Sequence, residues 1–92
     1  MLTEQQEQLC KMGDEAEFLI GSEAFTHVVN QLVEQSFQQF VNSSAEQTEV
    51  RERSYHHYRA LVDIVDTLRQ RVSVRDEINT KLAEDNNSQE EA

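Results

Sequence analysis

From Ala45 to Ala83 nothing in the sequence tells a helix to stop. The stretch holds neither proline nor glycine, and the whole chain has no proline and glycine only at positions 13 and 21. Val50, Ser54, His57, Tyr58, Leu61, Ile64, Val65, Leu68 and Val72 recur at helical spacing. They fall on one face roughly 120° wide, while Ile78 and Leu82 drift off it. Glu49–Arg53, Arg59–Asp63 and Glu77–Lys81 stand four apart and support the exposed side. Unbroken, residues 45–83 would span roughly 55–60 Å, longer than the remaining helices can cover. The far end is then expected to pack on another chain or stay solvated. Ser73 with Asp76 offers a restart after a kink.

So few turn formers exclude sandwiches and barrels, which need many sharp turns. Long helices with short polar links remain. Asn42-Ser43-Ser44 is one such link. Ser43 with Glu46, or Ser44 with Gln47, fits a capping box and starts the long helix near Ala45. Gly21-Ser22 is another, with Ser22 as N-cap of a helix running to about Val41. Upstream, Leu2, Leu9, Met12, Ala16, Leu19 and Ile20 share one face, but Gly13 interrupts it. A helix-interior glycine costs about 1 kcal/mol against alanine, so a frayed leader and a short helix from Asp14 are expected.

The middle segment carries the most informative pattern. Phe25, Val28, Val29, Leu32, Val33, Phe37, Phe40 and Val41 span roughly 220° of arc, against the ~100° that one helix contact covers. Such a helix should be buried on two sides, which favours self-association. The expected core and interface residues are Phe25, Val29, Leu32, Val33, Phe37, Phe40, Leu61, Ile64, Val65, Leu68 and Val72. Arg71 and Arg75 lie on or beside the apolar stripe and are the candidate polar interface, with snorkelling to solvent as the bland reading.

The expected fold is therefore all-α: an antiparallel helical hairpin of about 22–42 and 45–83 with a short N-terminal helix across it. It is expected to assemble into a homo-oligomeric bundle. Residues 1–83 form one helical domain, and 84–92 read as a disordered acidic tail. A chain of 92 residues with 37% hydrophobic content is marginal as a lone monomer.

Charge narrows the function classes. The net charge is −10, unevenly spread: −8 over residues 1–49, +2 over 50–81 and −4 over 82–92. The N-terminal acids are expected to complement Arg51–Arg75 of their own or a neighbouring chain, an assembly that raised salt should loosen. Arg51, Arg53, Arg59, Arg69, Arg71 and Arg75 with Tyr55 and Tyr58 form one basic, aromatic stretch. A polyanion-repelling total charge makes a solvated helix face the better reading than a nucleic-acid site.

No catalytic signature appears, so no enzyme activity is expected. His56 and His57 point about 100° apart on a helix, and one cysteine with three histidines is a poor metal set. No cofactor is expected. Cys10 alone cannot form an internal disulfide and suits a reducing, cytoplasmic setting, with the thiol inert. No run approaches the roughly 20 apolar residues of a membrane span. Met-Leu-Thr-Glu-Gln-Gln-Glu at the N-terminus lacks the pattern of a secretory signal.

Ala16-Glu17-Phe18-Leu19, Ser22-Glu23-Ala24-Phe25, Glu46-Gln47-Thr48-Glu49-Val50-Arg51-Glu52 and Tyr58-Arg59-Ala60-Leu61 resemble a class of small acidic proteins. These are encoded among the virion morphogenesis genes of tailed bacteriophages. The resemblance covers roughly residues 14–80 and consists of helix-type residues without a catalytic motif. It implies an α-helical accessory protein of head or tail assembly, with itself and another virion protein as partners, in the host cytoplasm or the virion. The competing expectation is an acidic DNA mimic that occupies a host nucleic-acid-binding protein, with Glu4, Glu7, Asp14, Glu15 and Glu17 standing for phosphates. A small helical regulator binding nucleic acid through Arg51–Arg75 is the third.

Overall fold

A capping box opens the first helix. The Gln6 backbone N–H donates to Thr3 Oγ1 at 3.1 Å, and the Thr3 N–H donates to Gln6 Oε1 at 2.9 Å. From there α1 runs unbroken over Glu4–Gly21. The computed structural model describes residues 1–91, and all its regular elements are helices: α1, α2 over Glu23–Asn42 and α3 over Thr48–Glu91. Among the described residues there is no strand.

Ser22 separates α1 from α2 as expected. Its backbone is extended, and its hydroxyl accepts from the Phe25 N–H at 3.3 Å. Ser22→Ala is therefore expected to cost about 1 kcal/mol. Urea unfolding followed by circular dichroism measures this, and an unchanged midpoint would refute the cap.

The second link differs from expectation. Ser43 ends α2 rather than starting α3: its N–H and its hydroxyl both donate to the Phe40 carbonyl, at 3.3 and 2.7 Å. Residues 44–47 form a turn closed by Gln47 N–H donating to the Ser44 carbonyl. The Gln47 side chain accepts from the Ser44 N–H. The helix then begins at Thr48, three residues after the expected start. Of the two bonds of the expected Ser44–Gln47 box, the return bond from the Ser44 N–H forms, while the Gln47 N–H goes to the Ser44 carbonyl instead of its hydroxyl.

Once started, α3 continues for 44 residues, roughly 66 Å. It passes Ser73 without a break. It also takes in the segment expected to be a disordered tail, as far as Glu91; Ala92 lies outside the described residues. Extending an existing helix adds one hydrogen bond per residue fixed, whereas starting one is costly, and no glycine or proline opposes the extension.

Packing divides the chain into two compact units: Met1–Leu19 with Thr67–Ala92, and Ile20–Asp66. In the first, α1 lies along α3. Asp14 meets Arg75, and Cys10 Sγ lies 3.9 Å from Asn79 Oδ1. As α1 advances, its partners on α3 step back, so the two run antiparallel. This corrects two expectations. The N-terminal segment is one full helix, not a frayed leader and a short crossing piece. The far part of α3 is covered by the chain's own N-terminus.

Gly13 explains the first correction. It is buried against α3, and a methyl there would overlap the Arg75 Cβ and approach the Arg71 carbonyl oxygen to 2.8 Å. The glycine is a contact point between backbones rather than a break. Ala16, one turn on, is also buried.

In the second unit Ser36 and Ser54 are buried. Ser54, at 1% exposure, donates to the Val50 carbonyl at 2.9 Å, with Gln39 Oε1 also within 3.5 Å. No buried side-chain polar atom among the described residues lacks a partner. The contact seams of both units thus rest on small residues, and among the described residues the buried apolar core is only Ala16 and Leu68.

Candidate functional site

A seam of small side chains lets two helices approach closely, since interaxial distance follows the residues at the contact. Large neighbours are then displaced to the flanks. In the unit Ile20–Asp66 this produces an open groove lined by Val33, Phe37 and Phe40 of α2 and Tyr55 and Tyr58 of α3. Ser36 and Ser54 form part of its lining. Phe37 is 56% exposed and Tyr55 54%, with Phe40 and Tyr58 also exposed. Tyr55 packs its ring edgewise on His56, centroids 5.7 Å apart.

The rim carries both signs of charge. Glu34 lies on the α2 side. On the α3 side, Arg51, Glu52 and His56 line the adjoining depression with Phe40 and Tyr55. The Arg51 guanidinium donates to the Ala45 carbonyl at 3.1 Å. Further along, Arg59 sits 3.6 Å from Asp63.

The expected core residues divide by depth. Leu68 is buried; Phe25, Val29, Val33, Leu61, Val65 and Val72 are half-buried. Leu32, Phe37, Phe40 and Ile64 are exposed, as are Val28 and Val41. The wide apolar arc read from α2 is thus real, and much of it faces solvent.

The two arginines separate as well. Arg71 is exposed, and its contribution to packing is the backbone carbonyl beside Gly13. Arg75 is 14% exposed at its side chain and gathers three carboxylates: Asp14 at 2.9 Å, Glu17, and Asp76 at 2.9 Å. The hydrogen bonds it donates to Asp14 first, then to Glu17 and Asp76, raise its pKa above the ordinary arginine value. The stability such a shift confers is lost only as pH rises through the folded pKa, so this cation stays charged at any working pH. Of the complementarity expected between N-terminal acids and the Arg51–Arg75 stretch, the structure shows the pairs of Arg75 with Asp14 and Glu17, inside one chain.

Among the described residues no group of three or more His, Cys, Asp or Glu side chains could hold a metal ion. No helix there is long and apolar enough to cross a membrane. Cys10 is half-buried and free. Sequence reasoning missed the Thr3–Gln6 cap and the roles of Gly13 and Ser36. The T-x-x-Q spacing at the start of α1 was the available signal for the first. No known protein family, curated protein or solved structure matches this chain.

Proposed function

We propose that this chain is a non-enzymatic helical assembly protein that works by self-association. Its setting would be the head or tail morphogenesis of a tailed phage, in the host cytoplasm, as its sequence resemblance implies. The working form would be an antiparallel helical hairpin built into a homo-oligomeric bundle.

One observation carries the self-association. The chain exposes 7309 Å² of accessible surface. A folded monomer of 10.7 kDa exposes about 5,500 Å² by the usual scaling with mass. The excess is roughly a third. It includes large apolar side chains on both sides of α2, from Val28 and Leu32 to Phe37 and Val41. With an apolar core of only Ala16 and Leu68 among the described residues, burying that surface against other chains is the main stabilisation left to the fold.

DNA mimicry has less support. Asp14 and Glu17, two of the acids it needs, are occupied by Arg75. Light scattering on the full chain tests the proposal. The expected mass is a multiple of 10.7 kDa at micromolar concentration. Because those charge pairs close within the chain, added salt should preserve or strengthen the oligomer by screening repulsion between copies of net charge −10. A monomer at every concentration and salt level would overturn it.

A further inference from the structure

We infer that α1 is a releasable strap: it undocks from α3 while the Ile20–Asp66 unit stays folded, and Arg75 is the clasp that sets how often this happens.

The apolar hold on α1 is slight. Of its 18 residues only Gly13 and Ala16 are buried. Leu9 and Met12 are half-buried, and Phe18, its one aromatic residue, is exposed. Helices in proteins owe most of their stability to packing of an apolar face, and a lone helix with a glycine inside is marginal in water. When α1 leaves α3 it is therefore expected to unwind. Its departure also bares Ile78 and Leu82 of α3, which share a recess with Leu2 and Gln6.

Charge supplies the hold instead. The helix carries five acids against Lys11, a net of −4. Among the described residues every ion pair between α1 and α3 passes through Arg75, to Asp14 at 2.9 Å and to Glu17. Hydrogen bonds between ionised partners are roughly twice as strong as neutral ones, and the mostly buried Arg75 side chain shields them from screening.

The same cluster eases release. Asp14 and Glu17 are mostly exposed, so they are already hydrated before they let go. Asp76, on α3 itself, lies 2.9 Å from the guanidinium and stays with it when α1 leaves. A half-buried charge stripped of every partner would oppose opening, and Asp76 prevents that. Connectivity allows the motion. Between α1 and α2 the extended Ser22 is the one residue outside a helix, and Gly21 beside it has open surroundings. A few such positions suffice for a hinge. Local opening commonly follows compact units such as Met1–Leu19 with Thr67–Ala92.

Hydrogen exchange read by mass spectrometry on the full chain, at fixed protein concentration, tests this. The variants are Arg75→Gln, the pair Asp14→Asn with Glu17→Gln, and all three together. In wild type the interior amides of α1 are expected to exchange at least about tenfold faster than those of α2. Arg75→Gln should speed α1 exchange by about tenfold or more and leave α2 unchanged. Neutralising the two acids should do the same. The triple variant should add nothing further, because both changes break the same pairs. If α1 and α2 share one exchange rate and accelerate together, the chain opens as a whole and the strap is overturned. An unchanged α1 rate in Arg75→Gln, or effects that add in the triple variant, overturns Arg75 as the clasp.

Discussion

Gly13→Ala is expected to destabilise the protein by about 1–3 kcal/mol, the cost of forcing an extra carbon into a filled contact. In an open helix the same exchange stabilises by roughly 1 kcal/mol, so the sign carries the information. The new methyl would stand 2.8 Å from the Arg71 carbonyl oxygen and overlap the Arg75 Cβ. Neither neighbour is the free end of a flexible chain, so α1 and α3 must move apart. Separation would also stretch the pairs that Arg75 makes with Asp14 and Glu17. Gly21 provides the comparison. Nothing lies within 4 Å of a methyl placed there, and its φ is not positive. Gly21→Ala should therefore raise stability by roughly 0.4–1 kcal/mol through the unfolded chain's lost freedom. Urea unfolding of both variants decides: a stabilised Gly13→Ala would mean that α1 does not lie on α3 at this point.

Leu68→Ala is expected to cost about 2–5 kcal/mol. Leu68 is 8% exposed and, with Ala16, makes up the buried apolar core among the described residues. A domain of this length has only about 5–14 kcal/mol to lose. At the upper end of the range, a large part of the population should unfold at 37 °C. Thermal denaturation at a fixed protein concentration reads this directly, because an oligomer's melting point depends on concentration. A melting point within a degree of wild type would remove Leu68 from the core. Ile64, one turn earlier and 49% exposed, is the natural companion, and Ile64→Ala should cost much less in a dissociated chain.

The helices were legible where local chemistry and packing agree. Ser22 caps α2 because a hydroxyl at that point meets an orphan N–H whatever the rest of the fold does. The length of α3 followed from the absence of any breaker; the structure moved its start to Thr48 and carried its end on to Glu91. Gly13 went the other way. Intrinsic propensity marks it as a weak point, and only the presence of α3 turns it into a contact. That fact depends on residues more than fifty positions away. The groove was half legible. The arc of Phe25 to Val41 announced more apolar surface than one neighbour could cover, but periodicity assigns large residues to the middle of a contact. Here Ser36 and Ser54 take the middle, and Phe37, Phe40, Tyr55 and Tyr58 go to the side. Ser54 stood on the predicted stripe; what the pattern could not say was that small size, not apolarity, would decide the seam.

The two units also differ in how far the chain must travel to build them. Ser54 and Gln39 are 15 residues apart, whereas Asp14 and Arg75 are separated by 61 and Cys10 and Asn79 by 69. Loop closure costs about 0.6 kcal/mol more for each doubling of length, so the longer closure is dearer by roughly 1.2 kcal/mol. The order of assembly is thus built into the connectivity: the unit Ile20–Asp66 carries the smaller closure cost and is expected to form first.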